Sequence, residues 1–513
     1  MRVTRFPWPP EDTAALRRLG IVALWLGLAL LTGCAALPAD VQRSASHALP
    51  SSDDTALGQV AAASLRDAAP ELSGFRLLPD GPEACDTRSM LARRAQRSLD
   101  VQYYLIANDG SGREFVRELE LAAARGVRVR LLVDDLHAAD QDEALARLAA
   151  RPKVEVRLFN PLPVRDAGWA ARLFFSLHQF ERINRRMHNK LFIADNAWAI
   201  TGGRNIGDEY FMRSDAHHFI DMDVLAAGPV VRELSAVFDA FWNSEHAYPL
   251  ASLLAPAEPG ARAVLPVGAA ADAASPETGP GVTDELMRGR VELHAAAAKV
   301  FADEPAKAAV ASATAPPATA MDSAIKLFLS ARSEVQIVSP YFIPGERGLA
   351  SLRAGAEKGL RISVLTNSLA ATDEPLAYWG YRRYRHEMLR LGVSLTEMSP
   401  AAGRRAGLFG RARSSSGRLH AKFATVDRRW VLIGSMNMDA RSSRTNTELS
   451  VVIDSPELAR DLAAVLTREW AANPYRLRLV DSERVVEWIA ESDTGARHRS
   501  EPHVNWLARL RAF

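Results

Sequence analysis

Cysteine is nearly absent from the chain, with two residues in 513, Cys34 and Cys85. A disulfide framework is therefore not the organising principle, and no Cys/His/Asp spacing suggests a metal site. An excess of one charge is missing too. There are 63 Lys and Arg against 61 Asp and Glu, a formal net charge of +2. Residues 1–33 hold Arg2, Arg5, Arg17 and Arg18 against Glu11 and Asp12, so the remainder is close to neutral. Nothing in that balance asks for a nucleic-acid partner. A comfortable membrane span of roughly 20 apolar residues is lacking as well; the run from Leu19 to Leu31 is too short. What remains is ordinary globular composition, 48% apolar and 24% charged, in a chain long enough for two domains, each with its own core.

The N-terminus has the layout of an export signal: a basic start, the short apolar run, then small residues at Leu31-Thr32-Gly33-Cys34-Ala35. Leu-Thr-Gly-Cys resembles a bacterial lipobox. That resemblance implies cleavage before Cys34, lipidation of its thiol, and a membrane-anchored lipoprotein facing the periplasm of a Gram-negative bacterium. Residues 1–33 are thus expected to be a signal peptide, and 34–74, rich in Ala, Ser and Asp, a tether.

Beyond the tether the pattern alternates. Helical spacing at 85–97, 114–125 and 141–149 is interleaved with strand-like runs at 99–106, 127–133 and 154–159. Such alternation predicts an α/β layered domain over 75–250 with a mixed or mainly parallel sheet. The stretch 168–186 carries Trp169, Leu173, Phe174, Phe175, Leu177 and Phe180; it suits a core helix or a segment facing acyl chains. Residues 251–320 are dominated by Ala, Pro and Gly and predict a linker with one helical piece over 285–301. From 321 to 513 the cycle repeats, with helices at 322–331, 349–357 and 378–391 and strands at 335–338, 360–366 and 394–397. The basic runs (Arg182, Arg185, Arg186; Arg404, Arg405, Arg411, Arg413) suit solvated faces or phosphate contacts.

One pattern occurs twice with identical spacing. His188, Lys190, Asp195, Gly202-Gly203 and Asn205 recur as His420, Lys422, Asp427, Gly434-Ser435 and Asn437. Each copy spans two apolar runs, which predicts a hairpin with His and Lys on one face, since residues i and i+2 of a strand point the same way. The period of 232 residues is far too long for a solenoid. The expected result is a pseudo-two-fold pair of α/β domains whose motifs meet at their interface.

Two histidines facing one phosphodiester suit double displacement. One imidazole attacks phosphorus, and the other gives a proton to the leaving alkoxide. Lys190 and Lys422 supply charge to the non-bridging oxygens, and Asn205 and Asn437 further hydrogen bonds, as phosphate-binding groups. A nucleophilic His needs an acceptor on its other ring nitrogen. Asp221 and Glu448, each following its own His at similar distance, are the candidates. Asp195 and Asp427 join the catalytic set by position, with a turn or a salt bridge as the structural alternative. This chemistry needs no metal and no cofactor.

The doubled motif resembles that of the phospholipase D superfamily. The stretches 183–211, 339–349 (SPYFIPGERGL), 366–385 (TNSLAATDEPLAYWGYRRYR) and 419–453 are similar to its cardiolipin synthase branch, in particular the bacterial C-type. The resemblance covers 75–475. It implies two phospholipase D-like α/β domains with the active site at their interface, His188 as nucleophile and His420 as acid/base, a choice that symmetry alone leaves open. It also supports Asp221 and Glu448 as the orienting acids. The implied reaction passes a phosphatidyl group through a phosphohistidine to the glycerol hydroxyl of phosphatidylglycerol. The donor would be another phosphatidylglycerol or phosphatidylethanolamine, at a membrane, with room for a small helper protein. Hydrolysis to phosphatidic acid uses the same residues and is the first alternative; a nuclease is the second.

Overall fold

The computed structural model describes residues 37–38, 40–50, 53–138, 141–165, 179–254, 281–308, 319–400, 416–467, 474–480, 485–490 and 497–498. The expected signal segment with Cys34, the aromatic stretch from Trp169 to Leu177 and the run Arg404–Arg413 lie outside them.

The first half contributes β1 (Ser73–Leu78), β2 (Ser98–Tyr103), β3 (Arg128–Asp134), β4 (Val154–Phe159), β5 (Leu191–Ala194), β6 (Trp198–Gly202), β7 (His217–Ile220), β8 (Asp223–Ala227) and β9 (Ala247–Pro249). Their order is β1-β8-β6-β5-β2-β3-β4-β9, with β2, β3 and β4 parallel and the other pairs antiparallel. The parallel strands are joined through the helices Gly110–Ala124 and Asp142–Ala149, as parallel neighbours require. The second half contributes β10 (His294–Ala302), β11 (Glu334–Val338), β12 (Arg361–Asn367), β13 (Ser394–Met398), β14 (Ser416–Leu419), β15 (Phe423–Val426), β16 (Trp430–Gly434), β17 (Leu449–Asp454) and β18 (Tyr475–Val480). Its order, β10-β17-β16-β15-β11-β12-β13-β18, repeats the first strand for strand, again with the three middle strands parallel.

β10 falls inside the stretch whose composition predicted a linker, and it replaces most of the helix expected over 285–301. Only Val282–Arg288 is helical there. The alanines of His294–Ala302 favour a helix intrinsically. The segment pairs with two strands instead, His294–Ala296 with β1 and Ala297–Ala302 with β17, and tertiary pairing overrides propensity. β10 takes the place in the second half that β1 has in the first, and the antiparallel β1–β10 pair joins both halves into one sheet. The tether also differs from expectation. Ala56–Ser64 is a helix capped by Thr55, and it buries Leu57, Val60 and Ala61. Trp198 donates its indole N–H to Leu57 O at 2.9 Å. Two turns of apolar spacing were too short to register as periodicity.

An apolar cluster crosses the junction of the halves, packing Met187, Ile193, Met222 and Val224 with Leu419, Phe423, Ile433 and Val451. These eight side chains are buried to 1% exposure or less, and a fully buried side chain of this kind contributes about 1.5–3 kcal/mol. The halves therefore share a core.

The two motif aspartates do not reach this junction. Asp195 and Asn196 occupy the centre of the β5–β6 turn with φ of 51° and 50°, and Asp427 and Arg428 the β15–β16 turn with 53° and 52°. Asp and Asn tolerate this left-handed backbone. The Asp195 carboxylate accepts the backbone N–H groups of Gln96, Arg97 (2.8 Å) and Ser98 (3.0 Å), at the start of β2. Asp427 does the same for Arg332, Ser333 and Glu334, ahead of β11. Each Asp pins the hairpin tip to the neighbouring strand. These contacts are those of the turn alternative, and a strand of four residues, roughly 13 Å, separates each Asp from its Lys. Asp195→Ala is expected to cost on the order of 2 kcal/mol of stability and to lower Tm. Turnover per folded molecule should persist; its loss in protein that melts like the wild type would show a catalytic role.

Candidate active site

His188 and Lys190 stand just before β5, and His420 and Lys422 just before β15, rather than within the strands. Each His segment pairs across the junction. His188 donates its backbone N–H to Thr447 O at 3.0 Å, and Thr447 N–H goes to Arg186 O at 2.9 Å. On the other side β14, which leads into His420, runs parallel to β7, which leads into Asp221, and His420 N–H donates to Ile220 O at 2.8 Å. The strand carrying each acid thus lies beside the His of the opposite half.

The side chains follow. Nδ1 of His188 is 3.0 Å from Glu448 Oε2, and Nδ1 of His420 is 2.6 Å from Asp221 Oδ2. Both predicted acids orient a histidine, but crosswise; neither serves its own half. Linear distance along the chain suggested own-half pairs, and only the sheet-to-sheet pairing reverses that. All four groups are buried, the histidines at 7% and 6% exposure and the acids at 0%.

The supports of the two acids differ. Glu448 accepts Ser435 Oγ–H at 2.5 Å and Ser442 Oγ–H at 2.6 Å. Its backbone is clamped by Asp303, which accepts Glu448 N–H at 2.9 Å and donates its own N–H to Glu448 O. Asp221 accepts Met222 N–H at 2.8 Å, and its carbonyl accepts from Arg204 at 2.7 Å. Arg204 and Arg88 in turn share the buried carboxylate of Asp223. The first glycine of each motif, and Gly203 in the first, make these approaches possible. A Cβ on Gly202 would lie 2.4 Å from Met222 O, and one on Gly434 2.1 Å from Leu449 O. One on Gly203 would meet Asp221 Oδ1 at 2.0 Å, whereas the matching Ser435 uses its side chain to bind the longer Glu448.

Lys190 Nζ donates to His188 O at 2.7 Å and lies 5.4 Å from the Tyr104 ring centre. Lys422 Nζ reaches His420 O and lies 2.8 Å from its Nδ1. The Tyr104 ring packs edge-on to His188 at 5.1 Å, and Tyr210 to His420 at 5.3 Å. Asn205 donates to Tyr210 Oη at 2.9 Å, leaving Oδ1 buried and unpaired among the described residues; Oδ1 of Asn437 is likewise unpaired. Sequence reasoning missed Tyr104, Tyr210, Arg88, Arg204, Asp223 and Asp303. Tyr104 directly follows β2, a position that the doubled motif does not mark. Within the run Arg182–Arg186, Arg186 pairs with buried Asp134 at 3.2 Å, and Asp134 accepts Met187 N–H at 2.8 Å.

Burial dominates the proton equilibria. It pushes His188 down to about 4, helped by Lys190 and Lys422 and opposed by Glu448. His420 is lowered for the same first reason. Burial brings Lys190 down to about 7, with Lys422 adding repulsion, and Lys422 down to about 8. For Asp221 burial is outweighed by His420 and Lys422, which hold it at about 2. Glu448 is also lowered, burial being outweighed chiefly by His188. At neutral pH both acids are ionised acceptors and His188 is neutral. Its Nδ1 then carries the proton toward Glu448, and the Nε2 lone pair is free to attack. A buried lysine that titrates near 7 is cationic below that pH and loses its grip on an anion above it. The alkaline limb of kcat/KM, which reports the free enzyme, is expected near pH 7–8. The limb for kcat should lie higher, because bound phosphate favours the ammonium form. Coincident alkaline limbs in the two profiles would show that these lysines do not hold the substrate.

A family profile described as "Cardiolipin synthase, PLD-like domain" matches residues 90–242 and 324–470. Cardiolipin synthase C of Escherichia coli (strain K12) is 36% identical over 82% of this chain and 89% of its own length. An uncharacterised protein of Helicobacter pylori (strain ATCC 700392 / 26695) is 31% identical over 96% of this chain and 97% of its own. Among solved structures, phosphatidylserine synthase of Haemophilus influenzae Rd KW20 superposes with a TM-score of 0.53, covering 80% of this chain and 91% of that one at 14% identity; at that identity the likeness concerns the fold.

Proposed function

The chain belongs to the cardiolipin synthase family of phospholipase D-like enzymes, as a phosphatidyltransferase of that superfamily, and we propose that it makes cardiolipin through a phosphohistidine. The observation that carries the proposal is the crossed pair of His–acid couples beside two buried lysines, in a chain 36% identical to cardiolipin synthase C over most of its length.

In the proposed cycle Nε2 of His188 attacks phosphorus of a phosphatidylglycerol or phosphatidylethanolamine, and the bond to the headgroup oxygen breaks. His420 donates a proton to that leaving oxygen. The headgroup alcohol departs, and the phosphatidyl group stays on His188. The glycerol hydroxyl of a second phosphatidylglycerol then gives its proton to His420 while its oxygen displaces His188 from phosphorus. Lys190 and Lys422 balance the charge on the non-bridging oxygens. The assignment of His188 as nucleophile is supported by its neutral state and by the two serine hydroxyls that fix its partner Glu448. Purified protein given phosphatidylglycerol, with and without labelled phosphatidylethanolamine, is expected to yield cardiolipin by mass spectrometry. Phosphatidic acid instead would make the enzyme a hydrolase, and neither product would sink both. His188→Ala should abolish the trapped covalent intermediate, while a phosphate trapped on His420 would reverse the roles.

The setting is proposed to be a periplasmic membrane surface, with Cys34 lipidated as the anchor. Leu376 and Trp379, 81% and 48% exposed on the helix Pro375–Arg390, suit contact with a bilayer, and among the described residues no helix is long and apolar enough to cross a membrane. Cys34→Ser should move the protein from the membrane to the soluble fraction. Unchanged fractionation, with no acyl mass on Cys34 of the wild type, would remove the lipoprotein assignment.

A further inference from the structure

The loop 368–374 follows β12 and is fastened at both ends to the catalytic segments. Asn367, ahead of it, exchanges two hydrogen bonds with Leu419, the neighbour of His420: its amide donates to Leu419 O at 2.8 Å and accepts Leu419 N–H at 2.9 Å. Within the loop Ala371 and Thr372 both donate to Ser368 O. Asp373 is held from the other side by Tyr341, whose hydroxyl donates to Oδ2 at 2.6 Å. The Tyr341 segment is in turn bonded to the residue after Asn437, through Ser339 Oγ to Met438 N–H and Ile343 N–H to Met438 O at 2.7 Å. Asp373 therefore stands between the approach to His420 and the Asn437 strand end. Its charge is felt by His420, Lys422, Tyr210 and Tyr341. Oδ1 is buried and has no hydrogen-bond partner among the described residues.

A buried carboxylate oxygen without a donor is costly and calls for an occupant. The occupant is not the phosphate, which a carboxylate repels. It is a donor that arrives beside His420, the group that deprotonates the acceptor. We propose that Asp373 binds the acceptor: Oδ1 takes a hydrogen bond from the second hydroxyl of a vicinal diol while the neighbouring primary hydroxyl is aimed at phosphorus. This rests on the transfer reaction proposed above and names what selects a glycerol headgroup over water or a simple alcohol. In that step the primary hydroxyl proton goes to His420, its oxygen bonds to phosphorus, and the bond from phosphorus to His188 breaks. Asp373 exchanges no proton; it positions.

The test is competition between acceptors. The full-length protein is given phosphatidylglycerol together with ethanol, which has one hydroxyl, and the ratio of cardiolipin to phosphatidylethanol is measured. Asp373→Asn removes the charge and keeps the shape, and Asp373→Leu removes the acceptor. The ratio is expected to fall by about tenfold or more in the latter, with a smaller fall in the former. The apparent KM for the phosphatidylglycerol acceptor should rise. Tyr341→Phe, which frees the carboxylate to rotate, should move the ratio the same way, and it keeps the proposal testable if the Asp373 variants fail to fold. A merely structural role would reduce both products together and leave the ratio constant, and that result overturns the inference. Absence of cardiolipin from the wild type would instead bring down the transfer reading on which it rests.

Discussion

Everything at the site depends on two hydrogen bonds between halves, His188 to Glu448 and His420 to Asp221. A single half holds a histidine and an acid but cannot bring them together, because its acid is committed across the junction. Both His–acid couples therefore need residues from both halves. The backbone enforces this before the side chains do, through the β7–β14 pairing and the matching contact of Met187 with Thr447. The shared apolar cluster then fixes the distance between the halves, and shape errors there would reach the imidazoles directly.

The duplication is exact in spacing and unequal in support. At the second glycine position, Gly203 leaves space that the Asp221 carboxylate fills, while Ser435 reaches toward the longer Glu448. Short acid with glycine and long acid with serine are two solutions to one demand, an ionised carboxylate on Nδ1. They are not interchangeable piecemeal, since a side chain on Gly203 would strike Asp221. The inequality also distinguishes the histidines. Nδ1 of His188 has Glu448 alone, itself fixed by two serine hydroxyls, whereas Nδ1 of His420 is shared between Asp221 and the Lys422 ammonium. In the proposed cycle, the rigidly held tautomer of His188 suits a nucleophile.

Much of this was legible in the sequence. The alternation of helix and strand, the doubled spacing, and the identity of both acids follow from residue order and the chemistry of imidazole. What sequence periodicity could not carry was the partner across the junction. Own-half pairing looked natural because Asp221 follows His188 and Glu448 follows His420, and separation along a chain says nothing about which sheet lies opposite. The Ala-rich segment His294–Ala302 was misleading for a related reason, since its strand state comes from pairing with two strands far away in sequence. Asp303, immediately after it, shows the cost of reading such a stretch as a linker: the residue that clamps the backbone of Glu448 sits there. Asp195 and Asp427 show the converse, conspicuous motif positions that sit in left-handed turns.

The charge balance explains why so polar a centre can be buried. Lys190 and Lys422 stand against the carboxylates of Asp221 and Glu448, so much of the charge buried at the site is paired. The cost falls on the lysines: bringing Lys190 down to about 7 amounts to about 5 kcal/mol of disfavour for its cationic form. A phosphodiester changes that balance. Its negative charge stabilises both ammonium groups, so the energy withheld from the empty site is returned when the substrate arrives and again as charge gathers on the non-bridging oxygens. An anion without phosphorus would be gripped in the same way but could not use the Nε2 lone pair that the Glu448 contact leaves free. In the proposed cycle, the grip on the phosphate and the free nitrogen for attack arise from one arrangement, in which each half supplies the acid that hydrogen-bonds the other half's histidine.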